Sequence, residues 1–269
     1  MTTSTPTPGT LDVPGARLRY TVTGRGPLLL AIPGGPADGG VFAALAPLLA
    51  PDRTVVTYDP RGLSASGVAD PAAEITVAVQ ADDALALLDA LGDGPADVLG
   101  NSGGALTGLD LAARHPGRVR TLVAHEPPLV HLLPDAADDP HDDVIMEVYR
   151  RRGTAPAMMA FLDHIGVLGD GPPPPLEAMA PMVPNFDVFF GRMWDSLGAF
   201  RPDVEALRRS GTRVVVATGQ DAHGQLAQRA ATAFAAQLGV VPVEMPGDHG
   251  GFVQEPAAFA AALGRILAG

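Results

Sequence analysis

The sequence predicts an α/β fold: a mostly parallel, doubly wound sheet with an inserted helical cap. Strand-like and helix-like segments alternate along most of the chain, and a glycine-rich stretch at 100–104 joins a predicted strand to a predicted helix. Between about residues 127 and 202 only helical patterns occur. A chain of 269 residues can form one large core with an insertion. We therefore expect a disordered tail over 1–9, a core over 10–126 and 203–269, and a cap over 127–202.

Strand and helix patterns follow one another through the first half of the chain. Polar and apolar residues alternate on both sides of Pro14 and Gly15, which predicts an antiparallel pair at the start. The predicted segments are strands at Leu11–Val13, Ala16–Val22 and Leu28–Ile32, a helix at Val41–Leu49, a strand at Thr54–Tyr58, a helix at Ile75–Leu91, a strand at Asp97–Leu99, a helix at Ala105–His115 and a strand at Val119–His125.

The second half of the chain begins with the predicted cap. Four consecutive prolines at 172–175 interrupt its helical patterns. The helices predicted in the cap are Asp142–Arg152, Ala155–Ile165 and Phe189–Leu197. The α/β alternation then returns, with strands at Arg213–Thr218 and Val240–Met245 and helices at Gln225–Leu238 and Ala257–Ala268.

Composition excludes several classes of protein. A net charge of -12 argues against nucleic acid as a partner, because phosphates need clustered cations. No apolar run approaches the roughly 20 residues of a membrane helix, and the first residues do not resemble a secretion signal. The chain has no cysteine, and its histidines lack metal-ligand spacing. We expect a cytoplasmic protein that needs neither metal nor another cofactor, acting as a monomer or a homodimer on a small molecule.

Residues 100–104 read Gly-Asn-Ser-Gly-Gly and match the G-x-S-x-G elbow. In such an elbow a serine sits on a sharp turn between a strand and a helix, with its hydroxyl exposed. Glycines on both sides let the backbone close up without steric conflict. The match has the required context here, between the strand at Asp97–Leu99 and the helix that follows. Ser102 is therefore the predicted nucleophile.

Further short motifs support a resemblance that covers the chain from Leu11 onward. They are Pro-Gly-Gly-Pro at 33–36, Tyr-Asp-Pro-Arg-Gly-Leu-Ser at 58–64 and Gly-Asp-His-Gly at 247–250, together with the elbow. With these motifs the sequence resembles the α/β-hydrolase superfamily. The resemblance implies that the catalytic residues follow the chain order serine, acid, histidine.

The base and the acid are sought downstream of Ser102, because a serine hydroxyl needs an oriented base to take its proton. His249 follows the last predicted strand in a glycine-rich loop and is the candidate base. Two carboxylates compete for the acid. Asp221 lies two residues after Gly219, but the more usual acid position, three residues after that glycine, holds an alanine. Glu126 ends a predicted strand 24 residues after Ser102 and is the favoured acid, since a buried carboxylate without a partner is costly.

Two backbone N–H groups are needed to stabilise the oxyanion of the reaction. Gly103, directly after the serine, is one candidate. The other comes from the loop at 33–36, where Gly35 is preferred because Pro36 has no N–H group. Asp38 and Arg61 are expected either to brace these loops or to lie on the surface.

The cap is expected to supply the walls of the substrate pocket. Most of its methionines and aromatic residues are predicted to form the core of the cap itself. Trp194, the only tryptophan, is the residue we expect nearest the substrate. The other candidates are Met158, Met159, Met179, Met182, Phe189, Phe190 and Met193.

The predicted reaction is hydrolysis of a carboxylic ester or lactone through an acyl-enzyme. Residues 119–127 also resemble the corresponding strand of the zearalenone-type lactone hydrolases, which implies a glutamate as the acid and a macrolactone as one candidate substrate. Other functions on the same fold stay open: a perhydrolase, a hydroxynitrile lyase, an iminopeptidase, or a ligand-binding protein with little turnover. Epoxide hydrolases and dehalogenases use an aspartate where this chain has Ser102.

Overall fold

A nine-stranded sheet forms the centre of the computed structural model, which describes residues 5–134, 141–166, 168 and 175–269. The strands within these ranges are β1 Thr7–Val13, β2 Ala16–Gly24, β3 Leu28–Ile32, β4 Thr54–Tyr58, β5 Gly67–Val68, β6 Ala96–Asn101, β7 Val119–His125, β8 Arg213–Gly219 and β9 Val243–Met245. Their order across the sheet is β1-β2-β4-β3-β6-β7-β8-β9, and β5 pairs with β2. All pairings from β4 to β9 along this order are parallel, whereas β1, β2 and β5 pair antiparallel. The predicted α/β-hydrolase fold class is confirmed.

The first strand begins earlier than the sequence predicts. Thr7 pairs with Val22, so the disordered tail expected over 1–9 was wrong for residues 7–9. An edge strand accepts a proline such as Pro8, because only one of its sides must supply ladder hydrogen bonds. The Thr-Pro-Gly composition of this segment does not predict a strand, because the strand is stabilised by its pairing with β2.

Helices cover both faces of the sheet. The helices of the described ranges are α1 Ala46–Leu49, α2 Val77–Leu91, α3 Gly103–Arg114, α4 His141–Arg152, α5 Thr154–His164, α6 Leu176–Met179, α7 Val183–Val188, α8 Trp194–Ala199, α9 Val204–Arg209, α10 Leu226–Leu238, α11 Gly251–Gln254 and α12 Pro256–Ala268. Buried residues of α2, α3 and α10 form one core cluster with the sheet, including Leu87, Leu106 and Phe234. Residues of α1, α11 and α12 form the other, including Phe252 and Phe259.

The helix predicted at Val41–Leu49 was wrong as a single element. The chain forms a 3₁₀ turn at Gly39–Phe42 and then the short helix α1. Asp38 caps the turn by accepting a hydrogen bond from the Gly40 N–H group at 2.8 Å. Pro47 lies in the first turn of α1, where its missing N–H group costs nothing, but it could not lie inside one continuous helix.

The described residues between β7 and β8 form helices and no strand. Besides α4 to α9 they include 3₁₀ turns at Val130–Leu132 and Ala180–Met182 and a π-helical turn at Phe189–Met193. This last turn replaces the first half of the helix predicted at Phe189–Leu197. Of the predicted four-proline interruption, residues 172–174 lie outside the described ranges. We interpret this helical region as the predicted cap, whose boundaries stay a prediction.

The helical region packs on the core through its own apolar cluster. Leu63 and Ile75 from the core contribute to a cluster with Met158, Phe186 and Phe190. Hydrogen bonds reinforce this contact: the Ile75 N–H group donates to the Arg192 carbonyl at 2.9 Å. The cap is therefore held over one defined end of the sheet.

A buried ion cluster closes the opposite end of the sheet, at the start of β6. Asp97 is fully buried and accepts hydrogen bonds from two arginines. Arg53 Nη1 lies 2.5 Å from Asp97 Oδ2, and Arg120 donates to both carboxylate oxygens at 3.0 and 2.6 Å. Removing Asp97 would leave two guanidinium groups without this anion.

We expect Asp97→Ala to lower the free energy of unfolding by about 3–5 kcal/mol, because breaking a buried ion pair leaves an uncompensated charge. Urea denaturation followed by circular dichroism measures this change. The matched control is Asp12→Ala, since Asp12 forms an exposed pair with Arg17 and should shift the midpoint little. Equal shifts for the two variants would contradict a structural role for the buried cluster.

Candidate active site

Ser102 lies on a strained turn between β6 and α3. Its φ of 54° and ψ of -122° are sparsely populated for a residue with a side chain. The Ser102 N–H group donates to the His125 carbonyl at 2.9 Å, which ties the turn to β7. The glycines of the motif are needed for space: a Cβ on Gly100 would lie 2.4 Å from the Gly104 carbonyl oxygen, and one on Gly104 would lie 2.3 Å from the Ile32 oxygen.

His249 and Glu126 form a hydrogen-bonded pair at the same edge of the sheet. His249 Nδ1 lies 2.6 Å from Glu126 Oε2, and the Gly219 N–H group donates to Glu126 Oε1 at 2.8 Å. The glutamate is fully buried and takes a positive φ of 48°. Burial opposes its ionisation, but the hydrogen bond and charge of His249 hold the pKa of Glu126 below its ordinary value. An ionised glutamate can orient the histidine and fix which ring nitrogen carries the proton.

Asp221, the alternative acid, lies beside the loop that carries His249, since its N–H group donates to the Gly247 carbonyl at 3.0 Å, but the carboxylate hydrogen-bonded to His249 Nδ1 is that of Glu126. Asp221 is exposed and is not among the residues of either cavity at the site. Ala222 is fully buried at the position that the usual acid would occupy. Of the two candidate acids, the structure thus brings Glu126 and not Asp221 into hydrogen-bond contact with His249. The chemical role of each carboxylate stays a prediction.

The loop that carries His249 is ordered by its neighbour. Asp248 accepts hydrogen bonds from the Gly250 N–H group at 2.7 Å and from Gln254 Nε2 at 3.0 Å. Gly219 of β8 lies directly against this loop, since a Cβ there would stand 2.7 Å from the Asp248 backbone. The loop is thus fixed both to itself and to the sheet.

Two backbone amides converge beside Ser102. Gly35 has a φ of 51°, and a Cβ on Gly103 would lie 3.2 Å from the Gly35 nitrogen. Within the described ranges, neither N–H group donates to a protein acceptor. Both glycines line the same cavity as Ser102, so their amides are available to a ligand there.

Two cavities meet at Ser102 and His249. The smaller, of about 120 Å³, is enclosed mainly by apolar and aromatic side chains. Its described lining is Gly35, Ser102, Gly103, Pro128, Val130, Phe161, His164, Ile165, Phe189, Trp194, Leu197, Gly198, Gln225, Leu226, Ala227 and His249. The larger, of about 500 Å³, also reaches polar side chains, among them Asp38, Ser64 and Asn185. The site therefore offers two adjoining compartments with mostly apolar walls, of which the larger also holds the carboxylate of Asp38.

Some of the residues predicted to lie near the substrate line a cavity, and the others lie in the core of the cap. Trp194 and Phe189 line the smaller cavity, and Met182 lines the larger one. Trp194 packs against the aromatic rings at 161, 189 and 190 with centroid distances of 5.4–5.9 Å. The residues of the predicted set that line neither cavity are Met158, Met159, Met179, Phe190 and Met193, which belong to the apolar cluster of the cap.

The two residues expected to brace the loops have different partners. Asp38 lines the larger cavity and accepts from Ser64 Oγ at 2.5 Å. Arg61 Nε donates to Asp83 Oδ2 of α2 at 2.6 Å, in a largely buried ion pair. Arg61 therefore ties its loop to the core.

Sequence reasoning missed His164 and His125. His164 lines the smaller cavity from the end of α5, whereas the sequence analysis singled out only His249 among the histidines. His125 is fully buried beside Glu126, with its Nδ1 2.8 Å from Asn101 Oδ1. Burial lowers the pKa of His125 to about 4, so it stays neutral near pH 7. Its position before Glu126 was visible in the sequence, but its pairing with Asn101 needs the strand register.

The described residues contain no group of three or more His, Asp or Glu side chains arranged to hold a metal ion. No helix in these ranges combines the length and apolar character needed to cross a membrane.

Comparison with known proteins yields matches over nearly the whole chain. Residues 27–151 match the family described as alpha/beta hydrolase fold. The uncharacterized hydrolase YraK of Bacillus subtilis strain 168 is 32% identical over 274 residues, which cover 96% of this chain and 95% of that protein.

Solved structures share the fold, but the proteins are named for different activities. One is a Pseudomonas aeruginosa protein provisionally assigned as an epoxide hydrolase, with 24% identity, a TM-score of 0.72, and coverage of 98% of this chain and 95% of that one. Another is a thermophilic esterase from Thermogutta terrifontis, with 20% identity, a TM-score of 0.75 and 98% coverage of both chains. At these identities the likeness shows the fold alone.

His125 should make folding stability depend on pH. The unfolded chain binds a proton at His125 near pH 6.5, whereas the folded protein binds it only near pH 4. Stability from this residue is therefore lost as pH falls from about 6.5 to about 4, by roughly 3 kcal/mol over the window. His125→Gln should flatten this part of the stability profile, measured by urea denaturation at several pH values. His223→Gln, at an exposed histidine, is the control, and an unchanged profile in His125→Gln would contradict the prediction.

Proposed function

Because this chain belongs to the α/β-hydrolase family and is a hydrolase, we propose that it is a serine hydrolase. Its proposed substrates are carboxylic esters or lactones, which it would cleave without a cofactor. The observation that carries the proposal is that three groups lie together at one edge of the sheet. Ser102 and His249 line a shared cavity, and Glu126 holds the other side of the histidine ring at 2.6 Å.

In the first step, Ser102 Oγ attacks the carbonyl carbon of the substrate while His249 Nε2 accepts the hydroxyl proton. Glu126 supports this step in two ways. It favours the tautomer in which Nδ1 carries a proton and leaves Nε2 free as the base, and its negative charge stabilises the imidazolium that forms. The low pKa of Glu126 fits this role, because the group must stay ionised.

The negative charge that develops on the carbonyl oxygen would be met by the Gly35 and Gly103 N–H groups. Preorganised donors at this point are worth about 3–4 kcal/mol each in comparable enzymes. Collapse of the tetrahedral intermediate breaks the ester bond, and the alcohol leaves with the proton from His249. Water then attacks the acyl-enzyme with His249 as base, which releases the carboxylic acid and restores Ser102.

The smaller cavity supports an apolar group on one side of the ester. Phe161, Phe189 and Trp194 form an aromatic wall beside Ser102, and an apolar surface gains about 25 cal/mol for each Å² removed from water. The lactone-hydrolase resemblance of residues 119–127 extends the proposal to cyclic esters. A cytoplasmic location is part of the same proposal.

Ser102→Ala should abolish covalent labelling by a fluorophosphonate probe and lower kcat/KM for p-nitrophenyl butyrate by several orders of magnitude, because the three residues act as a unit. Intact mass and steady-state kinetics measure the two effects. Ser210→Ala is the matched control, since Ser210 lines neither cavity. Retention of more than about a tenth of wild-type kcat/KM, equivalent to only ~1.4 kcal/mol, would remove Ser102 from the mechanism.

Glu126→Gln should reduce kcat by up to about 10⁴-fold, because an amide stabilises the wrong tautomer of His249. Asp221→Asn should cost far less, since Asp221 is exposed and the partner of His249 Nδ1 is Glu126. The measurement is kcat of both variants at matched pH, with circular dichroism to show that each is folded. If Asp221→Asn loses most of its kcat while Glu126→Gln keeps it, the assignment of the acid is reversed.

A further inference from the structure

The larger cavity has an unusual distribution of charge. Apart from His249, Asp38 is the only ionisable side chain in its described lining. No arginine lines either cavity within the described ranges, and the sequence has no lysine. A substrate group that enters this compartment therefore meets a carboxylate and no fixed cation.

Asp38 is held in place by two direct hydrogen bonds and, through one of them, by the cap. Its Oδ1 accepts from the Gly40 N–H group at 2.8 Å, and its Oδ2 accepts from Ser64 Oγ at 2.5 Å. Ser64 is fixed in turn by Asn185 of the cap, which accepts from the Ser64 N–H group and donates to Ser64 Oγ, each at 2.9 Å. The carboxylate is thus oriented before any ligand binds.

The Asp38 carboxylate can still accept further hydrogen bonds. An ionised carboxylate has about four acceptor positions, and the protein uses two of them here. Asp38 shares a loop with Gly35, whose amide lies beside Ser102. A substrate bound at Ser102 can therefore extend one substituent along this loop toward Asp38.

We propose that Asp38 is a specificity-determining residue, and that the larger cavity selects substrates whose polar substituent donates hydrogen bonds, ammonium most strongly, over substrates that carry a carboxylate. This inference rests on the proposed ester or lactone hydrolysis at Ser102. The physical reason is charge: an ammonium gains Coulomb energy and a charge-assisted hydrogen bond at Asp38, whereas a carboxylate is repelled. Partial exposure of Asp38 to water limits the effect.

The test uses two series of matched esters that differ only at a terminal group. In the first, butyrate esters carry CH₂CH₂X on the alcohol side, with X as dimethylammonium, isopropyl or carboxylate. In the second, ethyl esters carry the same CH₂CH₂X group on the acyl side. The wild-type enzyme should show at least about tenfold higher kcat/KM for the ammonium than for the carboxylate member in one series, and high ionic strength should reduce this ratio.

Asp38→Asn should reduce the ratio to within about threefold, because the amide removes the charge. The variant keeps a carbonyl oxygen for the Gly40 N–H group, so the turn at Gly39–Phe42 retains its cap. Asp52→Asn is the control, since Asp52 is exposed and lines neither cavity. Equal kcat/KM for all three members in both series, or an undiminished ratio in Asp38→Asn, would overturn the proposal.

A binding measurement separates this proposal from the proposed function. Trp194 is the only tryptophan and lines the adjoining cavity, so its fluorescence reports binding without turnover. The three alcohols and the three acids of the series are titrated directly. If no ester is cleaved but affinity still falls from ammonium to carboxylate in an Asp38-dependent way, ester hydrolysis fails and the selectivity stands. If esters are cleaved without this order, only the selectivity fails.

Discussion

The hydrogen bond between Glu126 and His249 is the contact on which the candidate site depends. Glu126 is fully buried, and burying a carboxylate costs several kcal/mol unless it is paired and hydrogen-bonded. Both of its oxygens are occupied, one by His249 Nδ1 and the other by the Gly219 N–H group. The glutamate is therefore stabilised only where the loop carrying His249 comes back to the end of β8. Any change that displaces this loop leaves a buried carboxylate without its partner.

The parallel register of the sheet brings the remaining groups to the same level. Asn101 pairs with His125, and His125 pairs with Ala217. Ser102 and Glu126 each follow one of these paired residues, and each donates its N–H group to the carbonyl of the next strand. Because the ladder fixes both residues from the backbone, their separation does not depend on side-chain packing. Ser102 and Glu126 both have a positive φ. Such a backbone conformation is strained in residues with a side chain and persists only where the surrounding structure stabilises it.

Buried strands could be predicted from the sequence, whereas short helices could not. The bounds of β3, β4 and β7 are those that the apolar pattern indicates, because buried parallel strands read as continuous apolar runs. Helices of four to six residues, such as α6 and α7, are too short to show a helical period. Their positions are set by packing against the aromatic cluster of the cap.

The residues of the candidate site also differ in how far the sequence predicts them. The elbow is a local motif, so Ser102 could be singled out from five residues. The Glu126–His249 pair spans 123 residues and was expected from the predicted strand order together with the family resemblance. The contacts of Ser64 with Asp38 and Asn185 join residues 26 and 121 positions apart, and no local sequence pattern predicts them. The hydrogen bonds that orient Asp38 in the larger cavity were therefore beyond the reach of sequence reasoning.

The position of Glu126 directly after β7 has a consequence for the segment after β8. At the end of β8, Gly219 donates its backbone N–H group to the glutamate, and His249 Nδ1 is hydrogen-bonded to Glu126 rather than to a side chain of the segment that follows. Its continuation, Gln225 to Ala227, forms part of the wall of the smaller cavity. Side chains there can change without altering the partner of the histidine. The architecture thus separates the shape of the smaller cavity from the pairing of His249 with Glu126, so the wall of this cavity can diverge in sequence while the candidate site keeps its geometry.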